Sequence, residues 1–162
     1  MNDLQKAYLD QYFGTLTPNE RAQYTQTIAD HFCSDEYNAN TCASLVLSGE
    51  KTATCSLKYW YESAEEPYPR VTQLMVVTNW NGKPVCIIET THVEECAYDQ
   101  VTAEFAAAEG EGDKSLAWWR KAHWDFFSGE CEQEGLMPSK EMTLVMERFK
   151  VVFPSPYYYS KE

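Results

Sequence analysis

The sequence predicts an α+β fold, and three observations lead there. The first third carries helical spacing and helix-capping signals, the middle holds two apolar runs around Asn81-Gly82, and residues 141–153 alternate again as a strand. Helices first, then strands with one or two inserted helices, build a small, curled, mostly antiparallel sheet with flanking helices. A cleft is then expected between sheet and helices.

Taking the elements in order, residues 3–13 place Leu4, Ala7, Tyr8 and Tyr12 at helical spacing, and Gly14 ends the run. Thr17-Pro18-Asn19-Glu20 is a restart signal, with Thr17 as N-cap, Pro18 at the first helical position and Glu20 closing a capping box. The reading continues this second helix to about Ala29. A third helix spans roughly 36–48 and delivers Gly49. Pro67 and Pro69 mark a loop before a strand at 71–79. Asn81-Gly82 signals a type I′ hairpin turn, and the strand returns from Pro84 to about Val93. Residues 99–108 look helical, Glu109-Gly110-Glu111-Gly112-Asp113 interrupts them, and a long helix runs from about Lys114 to Phe127. The tail from Pro154 to Glu162, with Tyr157-Tyr158-Tyr159, reads as a terminal extension. The expected organisation is an N-terminal helical extension (1–30), one domain (31–153) and that tail (154–162).

Composition narrows the function. The chain has 162 residues, 44% of them apolar and 14% aromatic, enough for one domain with a proper core. No run approaches the ~20 apolar residues of a membrane span, and Met-Asn-Asp-Leu-Gln-Lys lacks the pattern of a signal peptide. Six cysteines at 33, 42, 55, 86, 96 and 131 show no Cys-x-x-Cys spacing, so they read as free thiols of a cytoplasmic protein. Scattered cysteines and histidines (31, 92, 123) argue against a structural zinc site, and no metal ligands are expected. Thirteen basic residues face 25 acidic ones, for a net charge of −12. Extended DNA or RNA is repelled at long range by such a chain, whereas one nucleoside is not.

The stretch that carries chemistry is Gly49-Glu50-Lys51-Thr52-Ala53-Thr54-Cys55-Ser56. Gly49 suits a helix C-cap, and Thr52, Thr54 and Cys55 favour an extended backbone after it. Lys51 and Thr54 point to opposite faces of a regular strand, so they converge only if Lys51 still belongs to the turn. The plain alternative is a solvated lysine and a half-buried strand threonine. The reactive alternative is a desolvated, neutral Lys51 that takes the proton of the Thr54 hydroxyl. Arg120 and His123, three apart, are neighbours on one helix surface.

Together, several segments resemble the ASCH domain family, whose fold is similar to the RNA-associated PUA barrel. They are Ser48 to Thr54 for the G-x-K-x-x-T signature, Pro69-Arg70-Val71, Pro84 to Thr91, Ala103 to Asp113, Ser115-Leu116 through Trp119-Arg120 to His123 and Phe126-Phe127, and Glu147-Arg148-Phe149. The resemblance covers about residues 30–153, and is to the larger subgroup without a settled activity. It implies a small PUA-like barrel and a cleft for a nucleoside, nucleotide or RNA. Some small members are amidohydrolases acting on N4-acetylcytidine with lysine, threonine and glutamate. By position these are Lys51, Thr54 and Glu109, with Glu111 the other candidate for the glutamate. Cys55 stands where those members carry arginine. Arg70, Glu111, Trp119, Arg120 and His123 are then the expected substrate contacts.

Three functions follow from this reading. The first is an amidohydrolase-type enzyme on a small nucleoside-like substrate, without a cofactor. The second is a non-catalytic module for short RNA or a nucleotide, using Lys51, Lys58, Arg70 and Arg120 on phosphates and Trp60 or Trp118 as a stacking face. Its variant is a ribonuclease with Mg or Mn on Glu109, Glu111 and Asp113. The third is an interaction protein that uses the tail and the tryptophan helix. The first predicts that Lys51, Thr54 and Glu109 share one pocket, with Arg120 or His123 at its rim.

Overall fold

In the first helix, α1 (Asp3–Phe13), the Asn2 side chain accepts from Gln5 N–H while the Gln5 side chain returns to Asn2 N–H, a reciprocal cap. The structure, a computed structural model, describes residues 1–63 and 66–154. The tyrosine tail expected at the C-terminus lies outside the described residues.

The Thr17 capping box forms as expected, with Glu20 N–H donating to Thr17 and Glu20 accepting from Thr17 N–H. The helix it starts is only α2 (Pro18–Arg21). The continuation to Ala29 does not form, because Thr27–Asp30 becomes strand β1, pairing in parallel with Leu74–Val77. A four-residue ladder onto an existing sheet outweighs a weak helical pattern that includes two β-branched threonines. α3 (Glu36–Leu47) starts at Asp35, whose carboxylate accepts from Asn38 N–H. β2 (Ala53–Leu57) and a short α4 (Lys58–Ser63) follow.

β3 (Leu74–Thr78) and β4 (Pro84–Ala97) form the predicted hairpin. Its turn differs from the type I′ expectation. Gly82 has φ +75°, but Asn81 is not among the residues of positive φ. Gly82 N–H closes onto the Asn79 carbonyl at 2.9 Å. The loop is therefore a four-residue turn with glycine alone in the left-handed region, a longer class of hairpin connection. A 3₁₀ turn at Tyr98–Gln100 leads to α5 (Ala103–Glu109), α6 (Leu116–Gln133) and β5 (Thr143–Pro154). α6 runs through Gly129 to Gln133, past the end near Phe127 that the sequence predicted.

The sheet order is β1-β3-β4-β5-β2, antiparallel except for the β1–β3 pair, and it stays open between β1 and β2. The architecture is the α+β, PUA-like one that the sequence predicted, with the curled sheet unclosed. Register breaks between Ile87 and Ile88 and between Thr90 and His92 bend the long β4.

Both faces of the hairpin are covered, by side chains of opposite parity. Leu74, Val76 and Ile87 pack under Tyr8, Leu9 and Tyr12 of α1. Val77, Cys86 and Ile88 pack under Ala43 and Val46 of α3. Double coverage explains why β3 reads as a continuous apolar run rather than an alternating one. At the other end, Trp119 and Phe127 of α6 and Phe105 of α5 cover Ala53, Leu57 and Leu144. Leu74 has no exposed surface, so Leu74→Ala is expected to destabilise the fold by about 2–5 kcal/mol; a denaturant titration measures it.

Candidate functional site

The site is assembled where the ends of two helices, α3 and α5, meet. At the end of α3, Gly49 adopts φ +79° and the amides of Glu50 and Lys51 both donate to the Leu45 carbonyl, at 2.9 and 3.0 Å. This cap turns the chain back so that the Lys51 side chain runs inward. Thr52 N–H then donates to the Ala108 carbonyl at 2.8 Å, and Phe149 N–H to the Thr52 carbonyl at 3.0 Å. At the end of α5, Gly110 is the left-handed C-cap. A Cβ there would lie 2.3 Å from the Glu50 carbonyl oxygen, so only glycine permits the approach. Glu109 and Glu111, on either side of Gly110, are thereby brought to Lys51.

Lys51 is 2% exposed. Its Nζ donates to Glu111 Oε1 at 2.7 Å and to the Glu109 carbonyl at 3.5 Å, and lies 5.4 Å from the Phe32 ring centroid. Burial pushes the amine toward neutrality, but the Glu109 and Glu111 carboxylates together outweigh it and hold Lys51 above the ordinary lysine range. The neutral Lys51 of the reactive alternative is therefore not the resting form: the two carboxylates stabilise the cation more than burial destabilises it.

Glu109 is 1% exposed. Its Oε2 accepts from the Trp119 indole N–H at 3.0 Å and lies 2.8 Å from His123 Nε2. Burial raises this carboxyl, yet Lys51, His123 and Cys55 together leave it below the usual carboxylate range. The His123 ring stacks on Trp119, with centroids 4.2 Å apart, and its Nδ1 is 2.9 Å from the Trp119 carbonyl. A carbonyl only accepts, so Nδ1 carries a proton. The two glutamates thus divide the work: Glu111 pairs with the lysine by its side chain, and Glu109 pairs with the histidine.

These groups line a cavity of about 240 Å³ together with Thr54, Cys55, Phe32, Cys33, Trp118, Phe126 and Phe127. Among the described residues the Thr54 hydroxyl has no hydrogen-bond partner, and Lys51 donates to Glu111 and Glu109 rather than to it. Trp118 and Phe126 are the exposed aromatics of the wall. A second cavity, of about 390 Å³, shares Phe32, Cys33, Thr54, Cys55, Phe126 and Phe127 with the first and continues past Thr54 to Thr90, Glu130 and Glu147. Burial pushes the Glu147 carboxyl up to about 7.

Of the residues expected from the sequence, Lys51, Thr54, Glu109, Glu111 and His123 come together. Trp119 is buried beneath Glu109 and acts on the cavity through that residue. Arg70 is exposed and lines neither cavity, and Arg120 opens onto a separate surface hollow with Tyr98 and Asp99. Asp113 caps Ser115 N–H at the start of α6 and does not join Glu109 and Glu111 in a ligand cluster. The sequence reading missed Phe32 and Cys33, which reach the cavity from the loop before α3, and Cys42, whose Sγ lies 3.5 Å from that of Cys33. No spacing signal marks them, because the pair meets across a helix start.

An open, curled α+β sheet with a cavity built on G-x-K-x-x-T defines a class, and comparison with known proteins identifies it. A model of the ASCH domain matches residues 28–153, and the chain belongs to the ASCH domain family. The chain is similar to the ASCH domain from Lactobacillus crispatus JV V101, with 54% identity, a TM-score of 0.91 and coverage of 94% of this chain and 96% of that one. It is also similar to a protein from Enterococcus faecalis V583, with 29% identity, a TM-score of 0.81 and coverage of 96% and 97%. No curated protein matches the sequence. No helix among the described residues is long and apolar enough to cross a membrane.

Two outcomes follow. Gly110→Ala forces a non-glycine residue to φ +70° against the Glu50 carbonyl. It is expected to cost at least about 1–3 kcal/mol, read as a lowered melting temperature. Glu147 binds its proton more tightly folded than unfolded, so its contribution is full below an unfolded value of ~4.3 and is lost as pH rises through about 7. Glu147→Gln should therefore gain melting temperature relative to the parent chain as pH rises from 5 to 8, a gain absent at pH 4.

Proposed function

We propose that the cavity around Lys51, Thr54 and Glu109 is a hydrolytic site for a small amide of nucleoside type, with Thr54 as nucleophile. The observation that carries this reading is that Thr54, whose hydroxyl has no hydrogen-bond partner among the described residues, lines the same cavity as a buried amine with a carboxylate at 2.7 Å. Trp118 and Phe126 supply flat walls of the kind on which a base stacks.

At rest Lys51 and Glu111 form an ion pair. A substrate seated in the cavity excludes water from the exposed edge of Glu111, and loss of that water favours transfer of one proton from Nζ to Glu111. The neutral amine then takes the Thr54 proton as Oγ1 attacks the carbonyl carbon. Lys51 is an ammonium again as the oxyanion develops beside it. Collapse breaks the C–N bond, and the departing amine receives a proton from Lys51. Water hydrolyses the acyl-threonine and restores the hydroxyl. Glu109 holds Lys51 in place by charge, and His123 holds Glu109 in the cavity wall.

A phosphate-binding role has less support. Arg70 and Arg120 lie away from the cavity, and its single lysine is already matched by Glu111. The six free thiols fit a reducing compartment, and we place the protein in the cytoplasm on that ground.

The test is a screen of acylated nucleosides with the purified chain. Thr54→Ala should lose at least about 10³-fold in kcat while its melting temperature stays close to the parent value, and Thr54→Ser should keep measurable turnover. Undiminished turnover in Thr54→Ala ends this reading.

A further inference from the structure

We infer that Cys55, Glu109 and His123 form a binding site for a thiophilic divalent cation of the zinc class, with the cavity supplying its open coordination position. The three side chains come from β2, the end of α5 and the middle of α6. Their ligand atoms all lie within 4.8 Å of one another. Metal–ligand bonds of about 2.0–2.3 Å set neighbouring ligand atoms about 3.5 Å apart in a tetrahedron, so the trio closes on one ion by small adjustments, the 2.8 Å His123–Glu109 pair opening as the ion enters between them. Sulfur, nitrogen and oxygen in one set suit zinc rather than magnesium or calcium, which take oxygen ligands.

The support behind the ligands is what distinguishes this trio. His123 Nδ1 is committed to the Trp119 carbonyl at 2.9 Å, which leaves Nε2 as the ligating nitrogen. The same tryptophan holds Glu109 by its indole N–H at 3.0 Å. A histidine whose far nitrogen donates to a backbone carbonyl, and a carboxylate held by its own donor, are the outer contacts by which proteins orient metal ligands. The second trio, Cys33, Cys42 and Glu111, has similar separations. Its carboxylate is already bound to Lys51 at 2.7 Å, so a cation there must displace an ammonium.

Proton and charge both balance. Nε2 and the Glu109 oxygen, 2.8 Å apart, share one proton, and Cys55 carries another on its thiol. A dication that binds thiolate, neutral imidazole and carboxylate releases both protons and leaves the local charge unchanged. Lys51, neutralised by Glu111, need not move. The cavity leaves room for a water molecule as fourth ligand. Spacing in the sequence argued against zinc because the ligands at 55, 109 and 123 form no local motif; only the fold collects them.

The inference goes beyond the hydrolytic reading, and its test reads metal binding rather than turnover. Cobalt(II) is titrated into the full chain and absorbance is followed. The expected result is a thiolate-to-cobalt charge-transfer band with tetrahedral d–d bands, saturating at one equivalent and abolished by added zinc. The bands should vanish in Cys55→Ser and in His123→Ala, persist in Cys33→Ser and Cys42→Ser, and bind about 10-fold or more weakly in Trp119→Phe. No charge-transfer band in the parent chain overturns the site whatever the variants do. Bands that survive Cys55→Ser, or that disappear with Cys33→Ser, also overturn it.

Discussion

Everything in this molecule is arranged around one buried cation. Taking the Lys51 ammonium out of water carries a penalty of several kcal/mol unless opposite charge and hydrogen bonds replace the water. Glu111 at 2.7 Å, the Glu109 carbonyl and the Phe32 ring do so. None of these partners is near Lys51 in sequence. The corner after α3 must therefore meet the corner after α5, and Gly110 allows that meeting by lacking a side chain where the Glu50 carbonyl passes. The backbone bond from Thr52 to Ala108 fastens the same seam.

The seam also separates structural work from chemical work. Below it, Trp119, Phe105 and Phe127 join Ala53 and Leu144 in an apolar core. Above it, the groups that bear on chemistry face a half-open cavity: a hydroxyl, a thiol, two carboxylates, an imidazole and an amine. Trp119 serves both sides, packed in the core by its rings and bonded to Glu109 by its indole N–H. A rigid platform under a polar cluster keeps the distances short without relying on loop order.

The polar wall holds two coupled pairs rather than one triad. Lys51 with Glu111, and His123 with Glu109, each have a proton between a base and a carboxylate. In a low-dielectric space, small changes of solvation move such protons. The same property lets one pair prepare a nucleophile and lets the other give up its proton to a cation. The two roles draw on different atoms, and Cys55 is the residue that marks the second one.

The sequence by itself determined the local elements whose signals are local. The Thr17 capping box, the turn glycine at 82, the apolar strands around it and the Gly49 corner all depend on residues within a few positions of each other. The family resemblance likewise pointed to Lys51, Thr54 and either Glu109 or Glu111, with His123 among the expected contacts, and all of these line the cavity. Tertiary structure alone decided what depends on distant neighbours. It made Thr27–Asp30 a strand, because β3 offered an edge with which to pair. It kept Lys51 charged, because Glu111, 60 positions away, pairs with it and the charge of Glu109 adds to that. It took Arg120 away from the cavity and gave His123 to Glu109, because α6 packs with Trp119 and Phe127 against the core, which turns His123 to the cavity and leaves Arg120 at a separate hollow. Periodicity states which side of its own helix a residue occupies; which partner that side meets is settled only when the elements pack.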